Sequence, residues 1–229
     1  MSSLPVRERR RATAIREILD AAQAQIAVDG PAGLSLRSVA RSLGMTVQAL
    51  YHYFPGRDEL ITTLITEAYH DLADAVSAEA PDFVSAAVAY RAWAMANTAR
   101  FQLIYGTPLP RYQAPLDGDT TEGARRIAAV FANAVFGQFS QEQLARTKVS
   151  PLSPALRARF ARLPPESLGN LPPAAMTLFV GIWGHVHGLV VLEVFGHTDF
   201  IGPEQAEIFR ITMQDLLADA QLRIPKRRG

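Results

Sequence analysis

Apolar residues recur every three to four positions along most of this chain, and the rhythm breaks at glycine, proline or a short hydroxyl side chain. The first stripe, Ile15, Ile18, Leu19, Ala22 and Ile26, predicts a helix over Ala12 to Val28, closed by the turn residues Asp29-Gly30-Pro31-Ala32-Gly33. The second, Leu36, Val39, Ala40 and Leu43, is interrupted by Gly44-Met45-Thr46 and resumes at Leu50 and Phe54, which predicts helix, tight turn, helix. Each joint has suitable chemistry. Ser35 can cap the first helix of the pair, Gly44 can take a left-handed backbone angle, Thr46 can cap the second helix, and Pro55-Gly56 stops it.

Beyond residue 57 the helical pattern continues. Leu60, Ile61, Leu64, Ile65, Ala68, Tyr69 and Leu72 mark a helix running toward Ala80-Pro81, and one long helix is expected from Phe83 to Tyr105 with Trp93, Met95 and Phe101. A segment punctuated by glycine and proline, 106 to 118, precedes a helix from Thr121 to Phe139 with Ile127, Val130, Phe131, Val135 and Phe136. Prolines at 151, 154, 164, 165, 172 and 173 predict loops and short helices, one of them between Ala155 and Leu163. The last two helices are Ala174 to Leu192 and one opened by Pro203, with Ile208, Phe209, Met213, Leu216, Leu217 and Ala220 on one side. Strand alternation is nowhere sustained, so the expected fold class is all-α.

The stretch from Ala174 to Leu192 reaches the length of a membrane span, but its two histidines, absent basic flank and ordinary surroundings favour a helix of a soluble protein. Gly181, Gly184 and Gly188 stack on one face of it. Each glycine costs a helix roughly 0.8 to 1 kcal/mol relative to alanine, a cost that close approach by a second helix would offset. Two adjacent apolar helices, near 174–195 and 203–221, suit a four-helix interface between two copies of the chain.

Composition narrows the function. At 229 residues, 48% hydrophobic and 20% charged, the chain has the make-up of a soluble globular protein. It contains no cysteine, which removes disulfides and thiolate chemistry and is compatible with a cytoplasmic location. The N-terminus lacks the apolar core of a signal peptide. The overall charge of +1 conceals an asymmetry: residues 1 to 57 carry eight arginines against four acids, leaving −3 for the remainder. The positive end holds the helix-turn-helix, and phosphate attraction supplies most sequence-independent affinity for DNA.

The second helix of the pair carries the candidate chemistry. At about 100° per residue Leu50 and Phe54 share one side with Val47 at its edge, while Gln48, Tyr51 and His52 point the other way. A buried seam with an outward set of hydrogen-bonding side chains is what a helix reading the major groove requires. An ordinary corner between two helices has the same local pattern, and on these residues alone both readings stand.

Together with the helix before it and Arg57-Asp58-Glu59-Leu60 after it, the segment Leu50-Tyr51-His52-Tyr53-Phe54-Pro55-Gly56-Arg57 resembles the end of the DNA-binding unit in the TetR family of bacterial transcriptional regulators. Trp183 with His187-Gly188 resembles the signature of one class of TetR C-terminal domains. The resemblance implies an N-terminal three-helix DNA-binding domain over residues 1–57, with 1–11 as a flexible basic arm or a frayed first turn. A helical ligand-binding and dimerisation domain over 58–222 follows, then a basic tail, 223–229, expected to be disordered. It further implies a homodimer on an inverted-repeat stretch of double-stranded DNA.

In each half-site Gln48 and His52 are expected at base edges, Ala49 at a thymine methyl beside Val47, and Thr46, Tyr51 and Arg57 at phosphates. Arg37 is a candidate for a guanine or a phosphate. An apolar or aromatic effector is expected among the helices from 83 to 195, with Trp93, Phe131, Trp183 and His185 as candidate contacts. No cofactor or metal is expected, since His185 and His187 diverge by about 160° on a helix, and no catalytic motif is present. The competing reading is a helical small-molecule-binding dimer without sequence-specific DNA binding.

Overall fold

The computed structural model describes residues 5–78, 82–107, 112, 119–163 and 167–226, which form eleven α-helices and, among the described residues, no strand. The helices are α1 (Val6–Asp29), α2 (Leu36–Ser42), α3 (Val47–Tyr51), α4 (Arg57–Ala78), α5 (Phe83–Ala96) and α6 (Thr98–Tyr105). Then come α7 (Asp119–Phe136), α8 (Gln141–Ala145), α9 (Pro154–Phe160), α10 (Pro173–Val194) and α11 (Gln205–Leu222). Most of the segment from 106 to 118 lies outside the described residues.

Two compact units result, Met1–His70 with Asn97–Thr120, and Asp71–Ala96 with Thr121–Gly229. The core of the first joins Ile18, Leu19, Ala22 and Ile26 of α1 to Leu36, Val39 and Ala40 of α2, with Leu50 and Phe54. It is completed by Leu60, Ile61, Leu64 and Ile65 of α4 and by Leu103 of α6. This unit therefore extends past residue 57. The seams of α2 and α3 are too short to bury one another, and α4 supplies the apolar wall they close against.

In the second unit α5, α7, α10 and α11 contribute the buried side chains Phe83, Tyr90, Phe131, Phe179, Val186 and Met213. An ion pair ties α5 to α10: Arg91 donates through Nε to Glu193 Oε2 at 2.6 Å and through Nη2 to Oε1, with its guanidinium 6.0 Å from the Phe209 ring centre. By length and hydropathy α10 could cross a bilayer. Here Ala175, Leu178, Phe179, Ile182, Val186 and Val190 are buried within the unit.

Several expectations are corrected. From Val6 onward the basic arm is the first turn and a half of α1, set up by Pro5 at the N-cap with φ −52° and Glu8 in the first turn. The helix expected over 83–105 divides at Asn97, whose backbone (φ −129°, ψ 44°) leaves helical geometry, in keeping with the preference of asparagine for helix caps. The Ser35 side chain makes no capping bond to α2. Pro203 lies in a 3-10 segment, Asp199–Glu204, that precedes α11 rather than opening it, and Ile208 is exposed rather than on the buried side.

The start of the tail is also ordered. Ile224 is buried, the Arg223 carbonyl accepts the Lys148 N–H at 2.8 Å, and the Pro225 carbonyl accepts the Gln143 amide at 2.9 Å. Residues 227–229 lie outside the described residues.

Candidate nucleic-acid interface

The helix-turn-helix forms where its breakers place it. Gly44 adopts φ +65°, its N–H and that of Met45 close the end of α2 onto Arg41 and Ala40, and α3 begins two residues later. Thr46 caps α3, its Oγ accepting the Ala49 N–H at 3.1 Å. Leu50 is fully buried and Phe54 nearly so, which locks the inner side of α3 to the core.

On the outer side Thr46, Gln48, Tyr51 and His52 are exposed, Val47 and Ala49 are half-buried, and Arg37 stands exposed on the first turn of α2. Tyr51 keeps 47% of its surface accessible. Arg57 differs from its neighbours. It is half-buried, and its Nε–H is given to the Leu34 carbonyl at 3.1 Å, so part of its donor set serves the protein itself.

Three contacts here have no counterpart in the sequence reading. Arg16 is held by Asp20 and by both oxygens of Glu67 at 3.0 to 3.1 Å, which takes it out of the pool of cations open to phosphate. The Arg11 guanidinium lies 5.6 Å from the Tyr53 ring centre, which orients one basic side chain of α1 beside the end of α3. Gln25 holds backbone groups of the turn before α2. Only Arg16–Asp20, four residues apart on one helix, had a sequence signal; the others depend on which helices meet.

Two family descriptions match the chain: "Bacterial regulatory proteins, tetR family" over residues 18–64 and "Tetracyclin repressor-like, C-terminal domain" over residues 83–216. The chain belongs to the TetR family. It is similar to HTH-type transcriptional regulators of Mycobacterium tuberculosis and Mycobacterium bovis, 35% identical over 189 residues that cover 79% of this chain and 80% of theirs. The solved structure of SCO4313 is 37% identical with a TM-score of 0.76, covering 93% of this chain and all of that one. A protein from Rhodococcus sp. RHA1, 18% identical with a TM-score of 0.64 over 90% of this chain and 94% of its own, shares the fold. TetR proteins are DNA-binding transcriptional regulators that act as homodimers; they are not enzymes.

In the C-terminal part of this TetR protein, four rings pack together. Trp183 stacks on His187 at 5.5 Å and 13°, Phe131 meets Trp183 at 5.5 Å, and Tyr90 meets Phe131 at 6.0 Å and Trp183 at 5.4 Å. The Tyr90 hydroxyl pairs with His187 Nδ1 at 2.8 Å, and burial pushes the His187 pKa below its usual 6.5. Of the expected effector contacts, Phe131 and Trp183 thus come together. Trp93 gives its indole N–H to Asp71 at 3.0 Å.

His185 lies elsewhere, lining a cleft of 430 Å³ with Leu152, Leu156, Ile182 and Leu216. Its Nδ1 is 3.2 Å from the Gly181 carbonyl; because a carbonyl can only accept, Nδ1 carries the proton of that bond. Tyr90 could have been found in the sequence, since it continues the helical spacing of Phe83, Ala86 and Ala87.

Proposed function

We propose that this TetR regulator is a repressor that binds an inverted-repeat operator as a homodimer and is released by an apolar or aromatic small molecule. The observation that carries the DNA reading is the two-sided character of α3, with Leu50 buried and Thr46, Gln48, Tyr51 and His52 exposed. Gln48 and His52 read base edges, Ala49 and Val47 offer apolar contact to a thymine methyl, and Thr46, Tyr51 and the remaining donors of Arg57 hold phosphates. Arg37 reaches a guanine or a phosphate. A cytoplasmic location follows from access to DNA.

Dimerisation through α10 and α11 is supported by their open faces. A Cβ built at Gly181, Gly184 or Gly188 meets nothing within 4 Å, so no helix among the described residues makes the close approach these glycines invite. Val180 and Leu192 are exposed on α10, where with the glycines they span an arc of about 120° at 100° per residue, and Phe195 is exposed at its C-cap. Ile208, Ile211 and Leu222 are exposed on α11. For the effector, the half-buried Trp183 and the buried Phe131 behind it are the candidate aromatic contacts. Such a ligand acts only by binding the DNA-free state more tightly than the DNA-bound one.

The test is selection of purified protein on randomised duplex DNA at several salt concentrations, with the bound pool sequenced. Recovery of an inverted repeat is the expected result. Weak binding with no enriched sequence, fading steeply with salt, would reject the reading and leave a helical small-molecule-binding dimer. On the recovered operator, an apolar and aromatic compound library is expected to contain members that weaken binding.

A further inference from the structure

The turn that launches α2 is held from outside itself. All six backbone polar groups of Gly33, Leu34 and Ser35 have partners. The N–H groups of Gly33 and Leu34 bond to the carbonyls of Gly30 and Pro31 at 3.1 and 3.4 Å, and the Ser35 carbonyl accepts the Val39 N–H at 3.0 Å. The other three are taken by side chains. Gln25 of α1 donates its amide to the Gly33 carbonyl at 3.1 Å and accepts the Ser35 N–H at 3.3 Å, and Arg57 of α4 donates Nε–H to the Leu34 carbonyl at 3.1 Å. Gly33 is also pressed onto α1, since a Cβ there would lie 2.7 Å from that of Asp29.

We infer that Gln25 and Arg57 are positioning residues for DNA recognition: together they clamp the entry to α2 and thereby set the angle at which α3 meets the groove. The inference deepens the DNA-binding reading and rests on it. A primary amide is suited to this task because one group both donates and accepts, gripping two backbone positions two residues apart. Backbone groups in a turn are otherwise satisfied by water, which fixes no direction. Leu34 and Leu36 on either side of Ser35 are buried, so the clamp acts on a segment already anchored in the core and removes its remaining freedom to rotate. Arg57 therefore does more than the phosphate contact its position in the family motif implies.

Salt dependence separates the two roles. A lost phosphate contact lowers the magnitude of the slope of log affinity against log salt by about 0.9, whereas a displaced helix weakens binding without changing the charge engaged. Gln25→Ala carries no charge change and is expected to bind the operator about tenfold more weakly at every salt concentration, the scale of two lost backbone tethers. Its slope stays that of the wild type. Arg57→Lys keeps the cation but not the planar Nε donor, and is expected to show the same loss with the same slope. Gln25→Glu keeps length and the Ser35 acceptor while setting a carboxylate against the Gly33 carbonyl, and is expected to weaken operator binding even where Gln25→Ala folds poorly.

Hydrogen exchange of the Ser35 amide, measured without DNA, should accelerate in Gln25→Ala, which removes its acceptor, and not in Gln25→Glu, which keeps it. Wild-type operator affinity in folded Gln25→Ala, with or without a lower Tm, would overturn the positioning role and leave the bonds merely structural. Wild-type affinity in Arg57→Lys with a reduced slope in Arg57→Ala would return Arg57 to phosphate contact alone. Failure of the wild-type protein to select any operator would remove the DNA reading, and the positioning role with it, while Ser35 exchange still reports whether the clamp forms.

Discussion

His187 shows how one side chain can carry both packing and pH dependence. It stacks on Trp183 and pairs with the Tyr90 hydroxyl, and burial depresses its pKa below 6.5. The unfolded chain therefore takes up a proton at a higher pH than the folded chain does. The stability contributed by neutral His187 is complete above pH 6.5 and is lost as pH falls through the lowered folded value. Thermal melts between about pH 5 and 8 should show Tm falling on acidification, and His187→Gln, which keeps a partner for Tyr90 without titrating, should flatten that dependence. Asp82 acts in a lower window. The Ser85 backbone N–H, ahead of the Ser85 hydroxyl and the Val84 N–H, holds its carboxylate below 3.8, so its contribution persists to mildly acidic pH and fades beneath that value. On α3, the exposure of Gln48, Tyr51 and His52 was legible because its apolar seam is short and its period unambiguous. The inward bond of Arg57 was not, since its acceptor is a backbone carbonyl 23 residues away.

Elements differ in what holds them. The five residues of α3 are far below the length at which a helix is stable alone, so its Thr46 cap and the burial of Leu50 must carry it. Helix α10 is the opposite case: apolar enough to be mistaken for a membrane span, it is fixed by packing and by the Arg91–Glu193 pair. Glu193 keeps only 5% of its side chain exposed and Arg91 17%, so removing one partner strands a largely desolvated charge. Glu193→Ala should cost about 3 kcal/mol, the lower end of the range for buried pairs because Arg91 retains some contact with water. Replacing both residues by leucine and methionine should recover most of that loss, and denaturant melts of the single and double variants measure it. The break at Asn97 was missed because the apolar stripe runs through it and the residue only biases the chain toward a cap.

For the whole molecule, the proposed dimer contact on α10 lets folding and assembly be tested separately. A Cβ placed at Gly184 meets no neighbour within 4 Å among the described residues, so Gly184→Leu has open space to begin in. The substitution should raise the helix propensity of α10 by up to about 0.8 kcal/mol while pushing a second copy away. Sedimentation equilibrium is expected to show a folded monomer at concentrations where the wild type is dimeric. An unchanged dimer would move the interface to another surface. The same variant should lose operator affinity far more than one half-site contact can explain, because a dimer places two reading helices on one duplex.

Helices, their breakers and the two-sided character of α3 are local properties of 3.6-residue periodicity and turn chemistry, and the sequence determined them by itself. It also carried the family, through residue types at fixed spacing from Leu50 to Arg57. Tertiary structure alone decided which side chains meet. Tyr90 and His187 are 97 residues apart, Arg91 and Glu193 102, and Gln25 reaches a turn eight to ten residues beyond it. Those pairings depend on how whole helices pack, an arrangement set by the sum of many weak apolar contacts rather than by any one residue and its neighbours in the chain.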